Sequence, residues 1–118
     1  MTRNYKRFDV VLVNFGTETM ESEQSGVRPA IIIQNDIGNH FGSSTIVMPM
    51  TSKIKNPNQP THTLIVRGDS KGLTCDSMLL GECMRQISEK RIVKRLGTIT
   101  DNNEKLEIRR VYNANFGE

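Results

Sequence analysis

Arg28-Pro-Ala-Ile-Ile-Ile-Gln34 sets three consecutive β-branched side chains behind an arginine and a proline. Branching at Cβ stiffens χ1 and suits a pleated strand better than a helix. Pro29 is tolerated near a strand's first position. The stretch reads as a buried strand. Upstream, Asp9-Val-Val-Leu-Val-Asn-Phe15 carries the same signal, and downstream Thr45-Ile-Val-Met-Pro-Met-Thr51 carries it again, with Pro49 predicting an edge or a bulge. Val, Ile and Thr occur 8, 11 and 10 times in 118 residues, whereas Ala, the best helix former, occurs twice. This composition argues against an all-α bundle.

The segments between these strands are turn chemistry. Residues 16–26 are polar, acidic and without period, which predicts an exposed loop; Asn35 to His40 reads as a turn, and Ser52 to Pro60 as a loop. Thr61 to Val66 alternates like a half-buried strand. Ser77 to Leu80 and Cys83 to Ile87 follow as one bent or two short strands. Ser88 with Arg91 to Leu96 predicts a short capped helix, and Gly97 to Thr100 a short strand. Asp101 and Glu104 form a near capping box, and Ile108, Val111 and Tyr112 supply an i, i+3, i+4 stripe for a terminal helix. The expected fold is mainly β, a small SH3-like barrel or strongly twisted antiparallel sheet closed by a C-terminal helix.

A chain of 118 residues leaves room for one domain, spanning 1–118. No apolar run approaches the roughly 20 residues that cross a bilayer, and the first ten residues lack an apolar signal core. The expectation is a soluble cytoplasmic protein without a membrane partner. Two cysteines make neither a disulfide scaffold nor a four-ligand zinc site, so Cys75 and Cys83 read as reduced packing residues. A net charge of +3 and a pI near 9.1 permit a polyanionic partner.

Among the charges, Arg28 is the most informative. It lies between an acidic loop and a hydrophobic strand, so its guanidinium emerges at the sheet's rim. Two roles are open: a rim arginine paired with Glu21 or Glu23, or a planar fork that clamps phosphate and keeps its proton near neutral pH. Thr51 and Ser52 end a strand as caps or as ligand hydroxyls. His40 and His62 have no evident reason to converge, and each reads as a surface histidine. Lys90, Arg91, Lys94 and Arg95 form a solvated face or the extension of a nucleic-acid track. Signatures of nucleotide cofactors, metal sites and serine hydrolases are missing, so no cofactor and no metal is expected.

Four strings taken together go further. Ser22-Glu-Gln-Ser-Gly-Val-Arg-Pro-Ala30, Ile33-Gln-Asn-Asp-Ile-Gly-Asn39, the strand-final Thr51-Ser52 and Pro60-Thr-His62 resemble the MazF/PemK (Kid-like) toxin family, over a span from about Arg7 to the terminal helix. The resemblance implies a barrel-like sheet with a C-terminal helix, a homodimer, and metal-independent, sequence-specific cleavage of single-stranded RNA. It also implies inhibition by a cognate MazE-like antitoxin, with operator DNA met only through the antitoxin complex. The family's catalytic arginine and threonine fall on Arg28 and Thr51, and its flanking RNA contacts near Ser22, Glu23, Gln24, Asn35, Ser52, Ser77 and Glu82. Other toxins of this fold poison a protein target such as gyrase without cleaving RNA; that alternative, and a non-cleaving nucleic-acid-binding module, stay open at this point. Four departures stand out. Phe8 replaces a glycine before the first strand, the loop at Thr17 to Glu21 is one residue longer, His40 replaces a common arginine, and Cys83 stands where many relatives carry glutamine.

Overall fold

In the computed structural model, residues 5–16, 26–54 and 56–117 are described. Seven strands, β1 (Asp9–Asn14), β2 (Val27–Ile32), β3 (Ser44–Thr51), β4 (His62–Ile65), β5 (Ser77–Leu80), β6 (Arg85–Ser88) and β7 (Ile92–Thr98), are joined by helices α1 (Asp36–Phe41) and α2 (Asn102–Ala114) and by short 3-10 turns. The sheet is antiparallel, in the order β4-β5-β3-β2-β1-β7, with β6 also paired to β3. It is open rather than a closed barrel, because β4 and β7 stand at its two ends.

Alternation along β1, β2 and β3 explains why these strands read as apolar throughout. One set of side chains (Val10, Ile31, Met48, Met50) packs beneath α2, and the other (Val11, Val13, Ala30, Ile32, Val47) packs with Phe15, Ile87 and Ile92 on the opposite face. Both faces of the central strands are therefore buried. Helix α2 covers the first face with Ile108 and Val111, both fully buried, and burial of such side chains contributes about 1.5–3 kcal/mol each. Asp101 accepts a hydrogen bond from the Glu104 amide at 2.9 Å and so caps the helix. Glu104 does not reach back to complete the box. It binds Lys71 Nζ at 2.7 Å instead, tying the helix to the turn at Asp69–Lys71.

Three expectations need correction. The Asn35–His40 turn is the six-residue helix α1, started by Asn35 Oδ1 accepting from the Gly38 amide at 2.9 Å. The helix expected around Arg91–Leu96 is strand. Ser88 caps only one 3-10 turn at Glu89–Arg91, after which β-branched Ile92 and Val93 enter β7 and Lys94 and Arg95 pair with Leu12 and Val11 of β1. Pro49 is not on a sheet edge. It pairs with Ala30 of β2, and on its other side β3 passes from β6, paired through Val47, to β5, paired from Met50. No ladder donor is needed at that handover, so proline fits.

Phe8, buried at the entrance of β1, has φ of 74°. That left-handed conformation normally belongs to glycine. Its ring is surrounded by cations, with Arg7, Lys105 and Arg109 at 5.2, 5.3 and 5.4 Å from the centroid. No helix among the described residues is long and apolar enough to cross a membrane.

Candidate active site

A fork between β2 and β3 positions the candidate groups. The two strands pair at Ile32–Val47, Ile31–Met48 and Ala30–Pro49 and then part. Continuing that register by one step would put Pro29 opposite Met50, and by two steps Arg28 opposite Thr51. Ile33 donates to the Ile46 carbonyl at 2.9 Å, so in this segment residues 33, 31 and 29 direct their backbone groups toward β3. At 29 the residue is proline, which has no N–H to give, and the ladder stops. Beyond it, Val27 to Pro29 stay with β1 while Met50 and Thr51 stay with β5.

The gap that opens is a cleft of about 540 Å³, lined by Val27, Arg28 and Pro29 on one wall, Met50 to Lys53 on the other, and Cys75 and Ser77. Arg28 and Thr51 thus face each other as strand neighbours whose strands have separated. Thr51 is buried to 9% exposure, and its Oγ1 accepts a hydrogen bond from the Lys53 amide at 3.2 Å. With a lone pair engaged there, the hydroxyl proton is left to donate to something in the cleft. Ser77, also buried, donates to the Cys75 carbonyl at 3.3 Å. Among the described residues the charged groups lining the cleft are Arg28 and Lys53, both cationic. Permanent or near-permanent positive charge beside a hydroxyl donor is the equipment for holding a phosphodiester.

Four residues expected at the site, Arg28, Thr51, Ser52 and Ser77, come together in this cleft. Asn35 does not. It follows β2 at the end opposite Arg28, roughly 20 Å along the strand, where it caps α1. Glu82 lies in the turn at Gly81–Cys83 and binds His62 Nε2 at 2.8 Å and the Thr61 hydroxyl at 3.2 Å. Ser22, Glu23 and Gln24, and the Glu21 or Glu23 partner considered for Arg28, lie outside the described residues.

His62 is not a surface histidine. It is 2% exposed, with Nδ1 against the Asn56 carbonyl at 3.1 Å and Nε2 against Glu82. Arg110 of α2 donates to the carbonyls of Pro60 and His62 at 2.9 and 3.3 Å, closing the helix over this point. His40 is exposed, its ring edge-on to Phe41. The cysteines divide: Cys83 is buried with Met78 and Leu80 as a packing residue, whereas Cys75 is exposed at the cleft. Sequence reasoning passes over Lys53 and Cys75 as site residues because nothing in their local strings marks them. The fork alone brings them to the cleft. Among the described residues no group of three His, Cys, Asp or Glu side chains is placed to hold a metal ion.

Comparison with known proteins agrees with this architecture. Residues 6–111 match the family model described as the PemK-like, MazF-like toxin of type II toxin–antitoxin systems. The chain is 39% identical over 98 residues to endoribonuclease EndoA of Bacillus subtilis (strain 168), an alignment covering 81% of each chain. Its fold is similar to that of MazF from Deinococcus radiodurans, with a TM-score of 0.79 at 19% identity over 97% of both chains. It is also similar to a mycobacterial endoribonuclease solved in complex with its cognate antitoxin, with a TM-score of 0.75 at 18% identity over 97% of this chain and 96% of that one.

Proposed function

The chain belongs to the PemK-like, MazF-like toxin family of type II toxin–antitoxin systems, and from that membership we propose that it is an endoribonuclease that cuts single-stranded RNA at a short sequence without a metal ion. The observation that carries this reading is the fork, with Arg28 and Thr51 opposite each other beside a cleft whose charged lining is cationic.

The RNA itself supplies the nucleophile. A ribose 2′-OH attacks the adjacent phosphorus in line, the 2′-oxygen–phosphorus bond forms, and the bond to the 5′-oxygen breaks. The products are a 2′,3′-cyclic phosphate and a 5′-OH. Negative charge grows on the non-bridging oxygens as the five-coordinate state is reached. The guanidinium of Arg28 offers two N–H groups to those oxygens, and Thr51 donates its hydroxyl proton to the same phosphate. Holding sugar and phosphate in line contributes as much as neutralising the charge. The 2′ proton passes to a phosphate oxygen or to water, and the departing 5′-oxygen takes a proton from that same oxygen or from water, so that no net proton is gained or lost.

Ser52 and Ser77 extend the cleft as hydroxyl contacts for RNA, and Glu82 and the Ser22–Gln24 stretch are assigned to flanking nucleotides, whereas Asn35 is committed to capping α1. The active form in this reading is a homodimer. A cognate antitoxin of MazE type inhibits it by seating an acidic segment where RNA would lie, and operator DNA is met through that complex. The mycobacterial relative solved with its cognate antitoxin supports such a partner.

The test is incubation with a long, unstructured RNA in EDTA. Discrete cuts sharing one short sequence are expected. Intact RNA would overturn the proposal and favour a toxin acting on a protein target; cuts that appear only on adding Mg²⁺ would overturn the metal-independent mechanism.

A further inference from the structure

We propose that Lys53 is a second phosphate contact, gripping the phosphate next to the scissile one and contributing to RNA affinity rather than to the chemical step. The inference rests on the RNA-cleaving reading of the cleft and adds to it a residue that no motif marks.

Three observations place Lys53 in this role. Its backbone is anchored, since its amide donates to Thr51 Oγ1 at 3.2 Å, so the stem starts from a fixed point beside the reacting centre. Its side chain is exposed at the cleft wall, two residues beyond Thr51. Lys53 lies in the bend that follows β3, so its long flexible stem starts beside Thr51 and carries the ammonium toward the mouth of the cleft. Three cations elsewhere among the described residues are held by carboxylates: Lys71 by Glu104, Arg95 by Asp9 and Arg110 by Glu107. Among the described residues no carboxylate lies within ion-pair distance of Lys53, and none lines its cleft.

The chemistry of the two cations then divides. Arg28, half-buried at the root of the fork, presents a planar fork of N–H groups to one phosphate. Lys53, exposed at the mouth, is a flexible point charge that can follow a neighbouring phosphate in several geometries. Such a contact releases condensed counterions from the strand, and each one contributes about 0.7 to the slope of log affinity against log salt for single-stranded nucleic acid.

Binding of an RNA made uncleavable by a 2′-deoxy nucleotide 5′ of the scissile bond, titrated between roughly 50 and 200 mM salt, tests the proposal. Wild type, Lys53→Met and Lys53→Arg are compared, with thermal melting as the check on folding. Lys53→Met is expected to bind more weakly with a slope shallower by about 0.7, so that the gap from wild type narrows roughly threefold across this range. Lys53→Arg should restore both values, and single-turnover cleavage at saturating RNA should be nearly unchanged in both variants. An unchanged slope in Lys53→Met would overturn the contact. A loss of saturated cleavage as large as that of Arg28→Ala would overturn the division of labour, moving Lys53 to the reacting phosphate. Failure of the wild type to bind RNA at all would instead sink the ribonuclease reading on which the inference stands.

Discussion

The two ends of the β2–β3 pair make opposite use of their polar groups. At the end leading into α1, the polar side chains find one another. Thr45, fully buried, donates to Asn39 Oδ1 at 2.7 Å, Gln34 Nε2 donates to the same oxygen at 3.1 Å and to the Ser44 carbonyl at 3.2 Å, and Asn39 Nδ2 returns to the Gln34 carbonyl at 2.9 Å. At the forked end Thr51 accepts from the Lys53 amide, Ser77 donates to the Cys75 carbonyl, and a cleft lies between the parted strands. The strands are the same and so is their β-branched composition. What differs is whether the last polar groups satisfy one another or face an open space. A closed network of side chains holds the fold at one end; at the other, hydroxyls and cations line a cleft wide enough for a ligand.

If that contrast is right, changes at the forked end should abolish chemistry and spare the fold, and changes at the closed end should do the reverse. The largest effect is expected from Arg28→Ala. Losing a charged contact to the transition state costs about 3 kcal/mol or more, roughly a hundredfold or greater fall in kcat/KM, with little change in melting temperature. Arg28→Lys should fail as well, since one ammonium cannot replace the planar fork. Near-normal cleavage by the lysine variant would refute the bidentate role.

Thr51→Ala comes next, with a fall of about ten- to a hundredfold, the loss of one positioned donor at the lower end of such effects. Thr51→Ser keeps the hydroxyl and should recover most of the activity. If serine and alanine behaved alike, the methyl group rather than the donor would be what matters. At the closed end, Thr45→Val keeps the shape and leaves Asn39 Oδ1 short of a donor. A stability loss of about 1–3 kcal/mol is expected from chemical denaturation, with saturated cleavage rates unaltered. A rate change without a stability change would reverse the assignment of the two ends.

The smallest effect concerns Phe8, beside that closed end. At φ of 74° an alanine is strained where a glycine is not. Phe8→Ala and Phe8→Gly both lose the ring and its surrounding cations, yet the glycine variant should be the more stable of the two by about 1 kcal/mol. The usual order, alanine above glycine, would mean that the chain relaxes out of the left-handed region once the ring is gone.

Much of this molecule is legible in its sequence. β1, β2 and β3 announce themselves through β-branched runs, and α2 through Asp101 and the Ile108–Val111 stripe, because these signals are local. β7 misleads since Lys94 and Arg95 resemble an exposed helical face, and only pairing with β1 decides for strand. His62 misleads because its burial depends on α2 and Glu82, both distant in sequence. Arg28 and Thr51 stand in strings that resemble a family. That they face one another cannot be seen in those strings, because it depends on where the ladder ends. Pro29 carries that information, and it reads only once the register is known.

The ends of the cut RNA test the central claim most directly. If Arg28 and Thr51 hold a phosphate under attack by its own 2′-OH, mass spectrometry will find a 2′,3′-cyclic phosphate on every upstream fragment and a free 5′-OH on every downstream one. A deoxy nucleotide placed only 5′ of the scissile bond will stop cleavage while leaving binding in place. A 5′-phosphate on the downstream fragment would make water the nucleophile, and would contradict the roles of both Arg28 and Thr51 at the fork.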